Sequence, residues 1–213
     1  MSEPSGCPCE SLDERNKNAR GSIKTKTGKT AKSKAVTGKG GTGEGTTVSS
    51  ACYQNGSTSD VRTAHNSQKA LANEDHGLEP GQEADKRKTG ESNLCEGSEH
   101  KHDTPYNQKS AHTEARLLDG LGKGGFPTSG TLTLKIDWRP NGKEGASSPM
   151  PCRSCHKILC AAKECGVDVF LCDKKNEKKK LTDCPASKDS KDSKECYDNL
   201  EKKMHSTKPV WGA

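Results

Sequence analysis

The chain has 213 residues, of which only 27% are hydrophobic and 3% aromatic, and it carries a net charge of +6. Leu, Ile, Val and Phe together number 24, about 11%, too few for one core running through the whole length. No stretch approaches the ~18 apolar residues of a membrane span. The opening Met1-Ser2-Glu3-Pro4 has no apolar run behind it, so no cleavable signal peptide is expected.

The apolar residues are unevenly spread. Residues 1–110 hold 8 of the 24 and residues 111–213 hold 16, with both Phe and both Trp in the second part. The first part is rich in Gly, Ser, Thr, Lys and Asn and cannot bury enough surface to offset its chain entropy. We therefore expect a low-complexity, disordered region over 1–105 and one folded domain over 106–213.

Within the first region, Lys24, Lys26, Lys29, Lys32, Lys34 and Lys39 form a run without an acid. It reads as a solvated tail, or as an electrostatic arm for nucleic acid or an acidic partner. No aromatic residue interleaves it, so it offers no base-stacking platform. Cys7-Pro8-Cys9 and His100-Lys101-His102 lack a second pair at metal-binding spacing and are expected at the surface. Two G-x-G-x-x-G matches, Gly38/Gly40/Gly43 and Gly120/Gly122/Gly125, lack the strand before and the helix after that a dinucleotide loop needs. Eleven cysteines without a signal peptide suggest a reducing compartment, with metal ligands and buried thiols. Cys160, Cys165, Cys172, Cys184 and Cys196 are expected as buried thiols, and Cys184 with Cys196 is a candidate pair in an oxidising space.

Ordered elements are predicted from residue 112 onward. Ala115, Leu117, Leu118 and Leu121 give a short amphipathic helix. Gly122 to Gly130 is a turn-rich loop, and Thr131 to Trp138 alternates as a strand does. A loop from Asn141 to Ser148 leads into a helix from Cys152 to Glu164, closed by Gly166. Val167 to Cys172 is a strand, Lys174 to Glu177 a turn, Lys178 to Cys184 a second strand, and Ser190 to His205 a last helix. The Lys174–Lys180 run is expected to be a solvated hairpin, or else a phosphate contact.

Two short motifs carry chemistry. His112-Thr113-Glu114 is an H-x-E, and Pro151-Cys152-Arg153-Ser154-Cys155 is a P-C-x-x-C about forty residues later. Two cysteines at i and i+3 on a first helical turn point the same way, so both thiolates reach one metal. The helix N-terminus favours their anionic form. Pro151 stands where a missing N–H is harmless. His112 supplies a third ligand, and three protein ligands leave one zinc position for water, as catalytic sites do. Such a metal brings the pKa of its water toward ~7. Glu114 need not bind metal and is placed to shuttle protons. By composition P-C-x-x-C should occur by chance about 0.03 times in this chain. The bland alternative is half of a structural zinc knuckle completed by His156 or Cys160, which leaves the H-x-E unexplained.

With H-x-E followed by P-C-x-x-C, the chain resembles the cytidine-deaminase-like superfamily. More narrowly it resembles the deaminase domains at the C-termini of bacterial polymorphic toxins. His112 to Leu118, Pro151 to Cys155 and Val167 to Asp173 carry the likeness. The resemblance implies a three-layer α/β/α fold with a mixed sheet, one zinc ion held by His112, Cys152 and Cys155, and hydrolytic deamination of cytosine or adenine with Glu114 as the catalytic acid and base. In the toxin branch it implies a nucleic acid substrate, export into a target cell's cytoplasm and a dedicated immunity protein. The family has two strands before the H-x-E helix; Val48 to Tyr53 and Asn93 to Cys95 are poor candidates for them, so those strands are expected to be short and polar or the sheet edge incomplete.

Phe126, Trp138, Ser148 (with Ser147) and His156 are the candidate base contacts, each with a core or solvent role as the alternative. Two other functions fit the same residues: a deaminase of free nucleosides or bases, and a non-enzymatic, zinc-stabilised binding module.

Overall fold

The computed structural model describes residues 7–22, 24–25, 47–65, 70–71, 94–95, 112–122, 125–138, 147–186 and 192–204. Its elements are α1 (Cys9–Ser22), β1 (Lys24–Thr25), β2 (Val48–Asn55), β3 (Thr58–His65), β4 (Ala70–Leu71), α2 (Thr113–Leu121), β5 (Thr131–Asp137), α3 (Arg153–Glu164), β6 (Asp168–Cys172), β7 (Lys178–Lys180) and α4 (Ser193–Met204). The main sheet has five strands in the order β3-β2-β5-β6-β7, and β1 pairs separately with β4. Within the main sheet β5 and β6 run parallel and the other pairs antiparallel, so the sheet is mixed and the class is α/β. The parallel pair needs a crossover, and α3 supplies it.

Alternation along β5 sorts the helices onto two faces. Leu132, Leu134 and Ile136 join one core cluster with Ala115, Leu117 and Leu118 of α2, with Ile158 and Leu159 of α3, and with Tyr197, Leu200 and Met204 of α4. On the other face Asp137 accepts from Arg20 Nε of α1 at 2.9 Å, and Lys135 Nζ lies 3.9 Å from Asp13 of α1. α1 binds its face by polar groups: Asn16 Nδ2 donates to Lys135 O at 2.9 Å, Ser50 donates to Asn16 Oδ1 at 2.8 Å, and Arg15 Nε donates to Thr63 Oγ1 at 2.6 Å.

The expected order from residue 112 is present: α2, β5, α3, β6, β7, α4. Gly166 has φ +98°, and a Cβ there would run into the Thr128 carbonyl oxygen, so the turn that ends α3 requires glycine. The strand expected over 178–184 stops at Lys180.

The boundary expected near residue 105 does not match the sheet, because α1, β2 and β3 precede it and pack into the same unit. β2 is the strand beside β5, and both of its ladders are formed over Val48–Asn55 and Gln54–Val48. The hairpin turns on Gly56, φ +58°, in a two-residue loop with the positive angle at its first position. The lysine run beyond Lys24, the glycine pattern at 38–43 and the pair His100/His102 lie outside the described residues.

Eight cysteines are paired: Cys7–Cys52, Cys9–Cys172, Cys95–Cys165 and Cys160–Cys184. This corrects the expectation of buried thiols at 160, 165, 172 and 184, of a surface site at Cys7-Pro8-Cys9, and of a Cys184–Cys196 pair. Two of the bonds tie the start of α1 to β2 and β6, where apolar contact is sparse. Cys152, Cys155 and Cys196 remain free.

Candidate metal centre

Two helix N-termini meet at the site. His112 is the residue that opens α2, with φ −65° and ψ 140° and no side-chain cap. Its imidazole is thereby left for another partner. Cys152 opens α3 in the same extended conformation, and its sulfur accepts the Cys155 N–H at 3.4 Å. A thiolate in that cap position faces the positive end of the helix. Cys155, one turn on, is buried and points to the same side.

His112 Nδ1 lies 3.3 Å from Cys152 Sγ and 3.2 Å from Cys155 Sγ. The three donor atoms all fall within 4.8 Å of one another. A tetrahedral zinc with ordinary N and S bond lengths holds such atoms about 3.6 Å apart. The set therefore fits the ion with an opening of a few tenths of an ångström, and an imidazole with two thiolates is a zinc donor set by chemistry.

Glu114 sits at the same point, 4% exposed. Burial first, and then the Cys152 charge, push its carboxyl above the usual range. Thr113 Oγ1 donates to Glu114 Oε2 at 2.9 Å and is itself 2.7 Å from Ser49 Oγ of β2. Burial alone would lower His112, but the hydrogen bond and charge of Cys152 carry it up to about 8. Hydrogen bonding from Cys155, together with His112, outweighs burial at Cys152 and lowers its thiol to about 4. Burial pushes the Cys155 thiol well up, with the Cys152 sulfur and Glu114 adding to it. The metal-free site thus holds one thiolate, one thiol, an imidazole that favours its proton and a carboxyl that resists ionising.

The structure brings together His112, Glu114, Cys152 and Cys155. It places the four candidate base contacts differently. Phe126 and Trp138 are half-buried against the core cluster. Trp138 forms an isolated bridge with Ser148, whose N–H donates to Trp138 O at 2.7 Å. Ser148 is buried and its hydroxyl accepts from Met150 N at 3.2 Å. His156 is buried and donates through Nε2 to Asp183 O at 2.7 Å, because one step along a helix turns a side chain about 100° away from Cys155. The Lys174–Lys180 run is engaged locally, with Lys179 on Glu177 at 2.6 Å and Lys180 on Asp168 at 2.7 Å.

Sequence reading missed two supporting contacts. Ser49 reaches Thr113 from β2, the strand whose Val48 to Tyr53 stretch was expected to be a poor candidate. Tyr197 of α4 donates to Pro151 O at 2.7 Å and so anchors the entry to α3. No local pattern announces either. No helix among the described residues is long and apolar enough to cross a membrane. No family model, curated protein or solved structure matches the chain.

Proposed function

We propose that the chain is a zinc-dependent hydrolytic nucleobase deaminase acting on cytosine in nucleic acid, built on a three-layer α/β/α cytidine-deaminase-like fold. The observation that carries the reading is the convergence of His112, Cys152 and Cys155 from two helix N-termini, with the Glu114 carboxyl beside them. The fold reading is supported by β2 and β3, which supply two strands ahead of the H-x-E helix, and by helices on both faces of the sheet.

His112, Cys152 and Cys155 would hold one zinc ion. Bound there, zinc supplies a water acidic enough to act as nucleophile near neutral pH. Glu114 would take one proton from the attacking water and pass it to the ring nitrogen, then take the second from the same oxygen and pass it to the departing amine. Water and cytosine thereby become uracil and ammonia. Thr113 donates to one oxygen of Glu114 and is itself held by Ser49, which steadies the carboxyl. The burial of Glu114 keeps its proton affinity high enough for both steps.

A role as an exported effector, checked by an immunity protein, rests on the resemblance. The four disulfides support passage through an oxidising space. A layout of delivery region followed by toxic domain gives no support, since β2 and β3 belong to the main sheet and α1 packs against it.

The test is ammonia release by the zinc-loaded chain from single-stranded DNA, double-stranded DNA, RNA and free cytidine. Release from a polymer supports the proposal. Release from cytidine alone makes the chain a nucleoside deaminase. Zinc without release from any of them makes it a zinc-stabilised binding module.

A further inference from the structure

A second group of zinc donors lies on the same helix as Cys155. We propose that His156, Cys160 and Cys184 form a second zinc site, which alternates with the Cys160–Cys184 disulfide. It stands independently of the deaminase reading.

His156 and Cys160 are four apart on α3, so their side chains share one face. His156 Nε2 lies 3.7 Å from Cys160 Sγ, and Cys184 Sγ is bonded to that same sulfur. The three donor atoms fall within 4.8 Å of one another, as at the first site. His156 and Cys160 are buried and Cys184 is half-buried, so the group is preorganised by packing. Among the described residues, the other three disulfides belong to no such donor group.

The closed disulfide offers no thiolate to a metal. A dithiol or phosphine reductant supplies two electrons, and with two protons from solvent the bond becomes two thiols. Zinc then displaces those two protons and takes both sulfurs as thiolates. His156 Nε2 gives up its bond to Asp183 O, and its proton moves to Nδ1. A disulfide oxidant reverses the exchange, removing two electrons and releasing the metal. In either state a covalent or coordinate link ties α3 to the segment after β7. The helix that presents Cys152 and Cys155 is therefore stapled in oxidising and in reducing surroundings alike.

The full chain, untreated or first reduced with a phosphine, is loaded with zinc, freed of excess ion and analysed for metal. Zinc per chain is expected to rise from one to two. The second ion should be absent from the His156→Ala and Cys184→Ala variants. A rise from none to one would end the deaminase site and leave this one standing. No rise, or a second ion that persists in His156→Ala, overturns the proposal. Because reduction also opens the other bonds, Cys184→His is measured without reductant. It cannot close the disulfide yet keeps three donors, so it should hold one more ion per chain than wild type. Equal content in the two oxidised proteins also overturns the proposal.

Discussion

His112 Nδ1 stands 3.2 Å from Cys155 Sγ across 43 positions of sequence. The contact exists because the first residues of α2 and α3 open toward the same point, with β5 between the two helices in the chain. A half-buried imidazole beside two sulfurs, with a buried carboxyl next to them, is a donor set that suits a cation.

His112→Ala removes one of three donors. Zinc affinity should fall by more than about 100-fold, the upper range for losing a group that only supports a ligand. Competition with a chromophoric chelator measures this. Affinity equal to wild type would place the metal elsewhere.

Glu114→Gln keeps the shape and removes the proton carrier. Zinc content should be unchanged while kcat falls by about 10²–10⁴. Steady-state ammonia release with metal analysis of the same sample separates loss of chemistry from loss of metal.

Cys152 should be the reactive thiol of the zinc-free chain. Its pKa of about 4 makes it a thiolate at pH 6, while Cys155 and Cys196 are both raised and stay protonated. Cys152 is also more open than Cys155. Iodoacetamide at pH 6 should label Cys152 first, with rate falling only as pH drops toward about 4, and zinc should block it. Peptide mass mapping reads the order. Labelling that begins only above about pH 8 contradicts the assignment.

Arg20 and Asp137 form a buried pair, with side-chain exposures of 2% and 9%. Arg20→Ala leaves the carboxylate without that guanidinium, and the expected loss is about 3–5 kcal/mol. The double variant Arg20→Ala, Asp137→Ala should recover part of that loss. Denaturant unfolding checks both, and no recovery would mean that packing rather than charge dominates.

Opening Cys9–Cys172, which joins residues 163 apart, should cost about 2–5 kcal/mol when both are changed to Ala. Zinc content should stay at the wild-type level, because the bond holds α1 and not the metal. Thermal unfolding and metal analysis on the same variant test the two halves separately.

The candidate site was legible because its chemistry is local. P-C-x-x-C sets its two sulfurs one helical turn apart on a common side, and H-x-E puts His112 at the cap of α2, two residues before Glu114. Elements from residue 112 onward followed from periodicity, since Leu117, Leu118, Leu132, Leu134, Ile158 and Leu159 mark faces. Val48 to Tyr53 read as a poor strand because it buries Ser49 and Ser50, small polar residues that meet Thr113, Asn16 and Thr63, and gives the apolar core little beyond Ala51. The Asn55-Gly56 step was the signal that could have located its hairpin. α1 was hidden for the same reason: it is fastened by Asn16, Arg15 and Arg20 and by two disulfides, none of which leaves an amphipathic stripe. Disulfide partners among eleven cysteines cannot be read from spacing, because the pairs are made by the fold.

Single-stranded DNA, double-stranded DNA and RNA are sequenced after incubation with the zinc-loaded chain, beside its Glu114→Ala variant. The proposed deaminase activity requires cytosine read as thymine in at least one substrate with the wild-type chain and none with the variant. Unchanged sequence with a fully zinc-loaded wild type, or equal conversion by the variant, would contradict it.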